Sequence, residues 1–265
     1  MQTSPLSPAD TLRWYLAAGV DEVIGEEPVD RYAQSAKPAA KAQMPRATAS
    51  GVPMVPVAPQ QPEAPTSAHL AMAATNLAEL KTAMESYEGC ALKKTCQQTV
   101  FADGDPSARL MIVGEAPGAD EDRLGLPFVG ASGKLLDRML ASIGLDRSQA
   151  YITNVVPWRP PGNRKPEPAE VELCLPFIAR HIELVDPAVL LLLGGASVSA
   201  LLARTDSITR LRGGFIDYST PRLARPIPAM PTFHPAYLLR TPLAKREVWR
   251  DLLLVRQKLD AAGVI

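Results

Sequence analysis

From about residue 70 onward the chain alternates short, almost wholly apolar runs with longer stretches in which apolar residues recur every three or four positions. The runs at 109–113, 150–155, 188–193 and 227–232 read as strands. The third of them, bounded by Pro187 and Gly194-Gly195, has the continuous apolarity of a strand buried on both faces. The longer periodic stretches predict helices over 74–87, 133–143, 170–184, 196–202 and 243–259. Residues 210–218, with Gly213-Gly214 near the middle, predict a hairpin or bulged pair. Strands alternating with helices at this spacing predict an α/β fold: three layers, α/β/α, around a central four-stranded, mostly parallel sheet.

The pattern fades upstream. Ser7-Pro8-Ala9-Asp10 ahead of Leu12, Trp14, Tyr15, Leu16 and Val20 predicts one short capped helix ending near Gly19. Proline and alanine then dominate 34–66, with few bulky side chains to bury, which predicts a flexible linker with extended segments. The expected organisation is an N-terminal helical extension over 1–32, a Pro/Ala-rich linker over 33–68 and a main domain over 69–265. No window is long and apolar enough to span a membrane, and the N-terminus lacks the charged start and apolar core of a signal peptide. A cytoplasmic protein is therefore expected.

Composition adds one asymmetry. Net charge is zero over 265 residues, but residues 1–89 hold 6 basic and 10 acidic side chains, against 22 and 18 in the remainder. The offset is compatible with a nucleic-acid partner and equally with ordinary solvated surface.

In parallel sheets ligands bind beyond the carboxyl ends of the strands, and the unusual loops of this chain, at 114–130, 154–166 and 233–240, fall there. In the first, Gly114 and Gly118 allow close backbone approach, while Glu115, Asp120, Glu121 and Asp122 argue against a phosphate cradle. Phe128 stands between Pro127 and Val129-Gly130, either as a stacking platform for a planar ligand or as core. In the second loop Asn154 ends an apolar strand. Its amide matches the edge of a base such as uracil, or ties down its own loop. Arg159, Asn163, Arg164 and Lys165 follow among prolines and suit a phosphate backbone, as they would suit a rigid exposed loop.

The third loop holds His234, locked by Pro235, which can direct an imidazole donor at oxygen charge growing in a reaction. His69 lies near the linker, and His181 falls within a helix, partly exposed. Leu238 and Leu239 beside Arg240 have the composition of an apolar wedge with a phosphate contact. For one of the two leucines, packing against the final helix is the expectation.

Together, Gly114-Glu115-Ala116-Pro117-Gly118, Glu121-Asp122, 125–130, Asn154 with 159–164, and His234-Pro235 with Leu238-Leu239-Arg240 resemble the uracil-DNA glycosylase superfamily. The resemblance is closest to its iron-sulfur-containing, thermophile-type branch, family 4, and covers about residues 87 to 256. It implies a uracil-DNA glycosylase-like catalytic domain over 69–265 that removes uracil from single- or double-stranded DNA and leaves an abasic site. Uracil-containing DNA is then the partner, free uracil the product, and the enzyme a monomer. Gly114, Ala116, Phe128, Asn154 and His234 would bind uracil, and His234, Glu121 and Glu115 would serve catalysis. Arg159, Asn163, Arg164, Lys165, Leu238, Leu239 and Arg240 would contact DNA. Ala116 stands where the best-known branch has a water-activating aspartate, an absence that family 4 shares.

Family 4 enzymes hold a four-iron cluster on four cysteines. Here the resemblance aligns Cys90 and Cys174 with two of them, while Tyr87 and Trp158 occupy the other two positions and Cys96 lies outside the pattern. The expectation is no metal and no cofactor, with aromatic packing replacing the cluster; the alternative is a cluster held by Cys90, Cys96, Cys174 and a non-cysteine ligand. Two alternatives to the glycosylase remain at this point. One is a catalytically quiet uracil-DNA binder of the same fold, and the other a metal-dependent nucleotide hydrolase using the carboxylates of 115–122.

Overall fold

The structure, a computed structural model, describes residues 65–263. The expected extension over 1–32 and almost all of the linker over 33–68 lie outside the described residues.

Six strands form one mixed sheet: β1 (Asp103–Gly104), β2 (Leu110–Gly114), β3 (Ala150–Asn154), β4 (Val189–Leu193), β5 (Ile216–Tyr218) and β6 (Ile227–Thr232). Their spatial order is β1-β3-β2-β4-β6-β5. The four inner strands run parallel, and these are the four apolar runs of the sequence. The expectation of a four-stranded sheet was too small, because two-residue β1 and three-residue β5 add antiparallel edges. Neither edge strand is long enough to show an apolar period.

Each inner strand feeds two cores. Met111 and Val113 of β2, with Leu190 and Leu192 of β4, pack beneath helices α1 (Ser67–Ala73), α2 (Leu77–Ser86), α5 (Pro168–Val185) and α6 (Gly195–Leu202). Leu110 and Ile112, with Val189, Leu191 and Leu193, pack on the opposite face beneath α4 (Ala131–Ala141), α8 (Pro235–Arg240) and α9 (Lys245–Ala261). Burial of successive side chains on opposite faces is what a strand period of two requires when both faces are covered.

Local chemistry explains where the elements depart from expectation. The helix expected over 74–87 starts only at Leu77, because Asn76 accepts from the Glu79 N–H at 2.9 Å and Glu79 accepts from Thr75 N–H at 2.7 Å. That reciprocal cap starts α2 afresh, and α1 begins at Ser67 with Thr66 as its cap. The expected hairpin over 210–218 is instead the helical turn α7 (Ile208–Leu211) followed by β5. Two expected loops contain short helices: α3 (Ala119–Leu124), ended by Gly125 in the left-handed region, and α8. His181 is also a correction. It is 1% exposed, 2.7 Å from the Tyr151 hydroxyl and stacked on Phe101, so it is a satisfied core residue.

Candidate active site

Gly114 and Asn154 end neighbouring parallel strands and are register partners. A Cβ on Gly114 would lie 2.4 Å from Asn154 Oδ1 and 2.5 Å from Phe128 Cζ, so the missing side chain lets the ring and the amide close over the strand end. Asn154 is buried, and among the described residues its Oδ1 has no hydrogen-bond partner. Leaving such an acceptor unmade costs about 1–3 kcal/mol, which a ligand donor would recover. The amide therefore does not tie down its own loop through that oxygen.

His234 caps α8, its Nδ1 accepting from Ala236 N–H at 3.1 Å. With Nδ1 as acceptor, the ring proton sits on Nε2. Burial lowers the His234 pKa to about 4, helped by the Arg240 charge and opposed by Glu121. The ring is thus neutral near pH 7 and carries one donor. It stands 5.7 Å from the Phe128 ring, tilted by 32°. A cavity of about 650 Å³ joins these groups, and Glu115, Ala116, Glu121, Phe128, Asn154 and His234 all line it.

The two candidate carboxylates differ. Glu121 Oε1 accepts from Val129 and Gly130 N–H at 2.9 and 3.0 Å, and Oε2 accepts from Gly118 N–H at 3.1 Å. Its oxygens are engaged by backbone. Glu115 has no hydrogen bond to its carboxylate among the described residues, and burial raises its pKa against the opposing charge of Lys165. Of the two, Glu115 is the one free to meet a ligand or water.

The cations of the 154–166 loop also separate. Asn163, Arg164, Lys165 and Arg240 line the cavity. Arg164 is held by Glu170 in a forked pair at 2.8 and 2.6 Å, whereas Lys165 and Arg240 form no ion pair among the described residues. Arg159 lies outside the lining; it donates to Asn163 Oδ1 at 2.7 Å and stands 3.8 Å from Asp122. Leu238 is 1% exposed within the core under α8 and α9, so it cannot enter a duplex. Leu239 is 47% exposed and Leu243 91% exposed. Leu238 is thus the leucine that packs under the final helix, as expected for one of the two.

The Uracil DNA glycosylase superfamily model matches residues 101–253, which span all three loops. The chain belongs to the uracil DNA glycosylase superfamily. Type-4 members of that superfamily are among the similar proteins. The Type-4 uracil-DNA glycosylase of Archaeoglobus fulgidus is 42% identical over 166 residues, 61% of this chain and 82% of that protein. That of Sulfurisphaera tokodaii is 38% identical over 187 residues, 69% of this chain and 84% of the relative. That of Thermotoga maritima is 40% identical over 152 residues, 57% and 77% respectively.

Against that superfamily the cysteine region is distinct. Tyr87 and Trp158 are buried and stack with ring centroids 6.3 Å apart, and Tyr87 also meets the edge of Phe177 at 5.4 Å. The indole Nε1 of Trp158 donates to Thr99 Oγ1 at 3.0 Å. Cys90 and Cys174 are buried side by side, and the bond to Cys90 together with burial pushes the Cys174 thiol well up. Cys96 turns its sulfur to the Lys93 carbonyl at 3.3 Å. Two cysteines, a phenol and an indole whose N–H is already hydrogen-bonded do not fit a four-iron cluster, whose irons need four thiolate ligands. Among the described residues no group of three His, Cys, Asp or Glu is placed to hold a metal ion.

Asp122, read in the sequence as one of the first loop's carboxylates, is a structural residue, and a second structural residue, Arg147, escaped the sequence reading. Asp122 is buried beneath the site, accepting from Gln97 and Gln98 N–H at 2.7 and 3.3 Å. Arg147 reaches the Pro127 carbonyl. Arg147 lies in no glycine, proline or histidine motif that would have marked it.

Proposed function

We propose that the protein is a monofunctional uracil-DNA glycosylase that hydrolyses the N-glycosidic bond of a flipped deoxyuridine, in single- or double-stranded DNA, and leaves an abasic site. The observation carrying this reading is the unpartnered Asn154 Oδ1 beside the Phe128 ring, in one cavity with the neutral His234. Uracil offers N3–H to that oxygen and O4 to the amide NH₂, and its flat face suits the phenyl ring. A cytosine edge, with an amino donor at N4 and a bare acceptor at N3, would oppose the same amide, whereas thymine presents the uracil edge and differs only by its C5 methyl.

The chemistry follows from the charges. As the C1′–N1 bond breaks, its electron pair passes to the base and accumulates on O2, while the sugar becomes cationic. A neutral imidazole aiming Nε2–H at O2 strengthens its bond as that charge grows, which favours the transition state over the ground state. Water then adds to C1′, and the Glu115 carboxylate is the group placed to orient it and take its proton. Glu121 supports the pocket from behind, since its oxygens already hold backbone N–H groups.

Lys165 and Arg240 are the cations left to meet phosphates, while Arg159, Asn163 and Arg164 shape the loop that presents them. Leu239 and Leu243 are the apolar groups available to enter the stack. In this reading residues 69–265 form the catalytic domain of a cytoplasmic monomer, with 1–32 and 33–68 as extension and linker. Among the described residues no helix is long and apolar enough to cross a membrane. Native mass in solution checks the oligomeric state.

Incubation with a uracil-containing oligonucleotide followed by alkali is expected to cleave the strand equally with and without EDTA. Intact DNA despite measurable binding would instead identify a quiet binder.

A further inference from the structure

Phe128 stands in the left-handed region, at φ 55°, a conformation that bulky residues rarely adopt. A backbone so placed persists only where its surroundings over-determine it. Two charged side chains do so, from different elements. The peptide before the Phe128 Cα is held through its carbonyl, the Pro127 oxygen, to which the Arg147 guanidinium donates. The peptide after it is held through Val129 N–H, which donates to Glu121 Oε1 at 2.9 Å. Orienting the planes on either side of one Cα sets its φ and ψ together. The Phe128 carbonyl is seated against Gly133, where a Cβ would lie 1.7 Å from that oxygen.

We propose that Arg147 is a positioning residue for the base slot, acting with Glu121 as a two-sided clamp that keeps the Phe128 ring on the floor of the cavity. Arg147 is itself anchored, with its Nε on Asp103 of β1 and Nη1 on Asp137 of α4 at 2.9 Å. It thus ties the platform to the sheet edge and to the helix that follows the loop. Without it, the Pro127–Phe128 peptide is free to rotate, and Phe128 relaxes toward negative φ and carries its ring off the Gly114 floor. The kinetic consequence rests on the glycosylase reading, whereas the structural consequence does not.

The test compares Arg147→Met, Arg147→Lys, Phe128→Ala and the Arg147→Met/Phe128→Ala double variant in the full chain. Arg147→Met is expected to lower kcat/KM for uracil excision about tenfold and to weaken inhibition by free uracil by a similar factor. Arg147→Lys, which keeps one donor for the carbonyl, should recover part of both. In the Phe128→Ala background the Arg147 change should cost little more, because the clamp has lost its object. Asp137→Asn, at a half-exposed partner, should stay within about twofold of wild type. Full additivity of the Arg147 and Phe128 losses, or unchanged uracil inhibition in Arg147→Met, would overturn the proposal. A crystal structure of Arg147→Met supplies the arm independent of activity: Phe128 away from φ near 55° supports the clamp, and Phe128 unmoved refutes it. A wild-type protein that excises no uracil would sink the functional reading and leave that structural arm decisive.

Discussion

Asn154 and Trp158 leave the same strand end, yet their side chains enter opposite environments. The Asn154 oxygen is buried with no partner, beside a phenylalanine held at positive φ. Trp158 is wholly buried, stacked on Tyr87, and its only polar atom donates to Thr99. One region holds unmet hydrogen-bonding capacity and backbone strain; the other is satisfied and close-packed. The contrast teaches that a burial figure alone does not separate a site from a core. What separates them is whether each buried polar atom has found its partner within the chain.

The comparison breaks most visibly if activity and stability fail to part company. Asn154→Ala and His234→Ala are each expected to reduce uracil excision roughly 10²–10³-fold, in single-turnover assays, since each removes a preorganised partner of the leaving base. Their melting temperatures should stay near or above wild type, because Asn154→Ala also deletes an unpaired buried acceptor. A large fall in melting temperature alongside the lost activity would place Asn154 in the core with Trp158.

Trp158→Ala should show the reverse. Truncating a fully buried indole is expected to cost about 3–5 kcal/mol in urea unfolding. Excision measured well below the unfolding midpoint should remain within a few-fold of wild type. If excision collapsed while unfolding barely shifted, the aromatic cluster would belong to the site.

A smaller effect should sharpen where the site ends. Leu243→Ala is expected to lower excision from duplex about tenfold and from single strands hardly at all, as a wedge acts only on a stacked base. Equal losses on both substrates would assign Leu243 to folding instead.

The last effect is in pH. The pKa values of His234 and His181 are lowered by burial to about 4 and about 3. An unfolded histidine titrates near 6.5, so between that value and the folded pKa the unfolded chain binds more protons. Stability should therefore fall as pH drops below about 6.5, by about 1.4 kcal/mol per unit for each histidine at the steepest. Excision should show no step near 6.5 from His234, which is already neutral there. In His181→Gln the stability slope should flatten while the excision profile stays put, separating the core histidine from the site histidine.

Much of this could be read before any fold was known. The inner strands are legible because each is an apolar run of five or six residues ended by glycine, asparagine or threonine. Phe128, Asn154 and His234 are legible because strand ends followed by glycine or proline are where parallel sheets hold ligands. The edge strands were not, being too short to show a period, and neither were the short helix α1 and the start of α2 at Leu77, which local caps at Thr66 and Asn76 set.

Roles were harder to read than places. Glu115 and Glu121 look interchangeable along the chain, and only packing shows that one carboxylate holds three backbone N–H groups while the other holds none. Leu238 and Leu239 look equivalent too, until the turn of α8 buries the first and exposes the second. His181 looked partly exposed because its partners, Tyr151 and Phe101, lie on distant segments.

By itself the sequence determined the α/β order and the strand ends that meet at the cavity, since each is a matter of residue type and spacing along the chain; the resemblance added that Tyr87 and Trp158 stand at two cysteine positions. The tertiary structure alone decided which polar atom stays unpaired, which carboxylate is free, and which arginine steadies Phe128. Hydrogen bonding is a contest among all groups that fold into reach, and contacts such as Arg147 with Pro127 join residues that no local pattern connects.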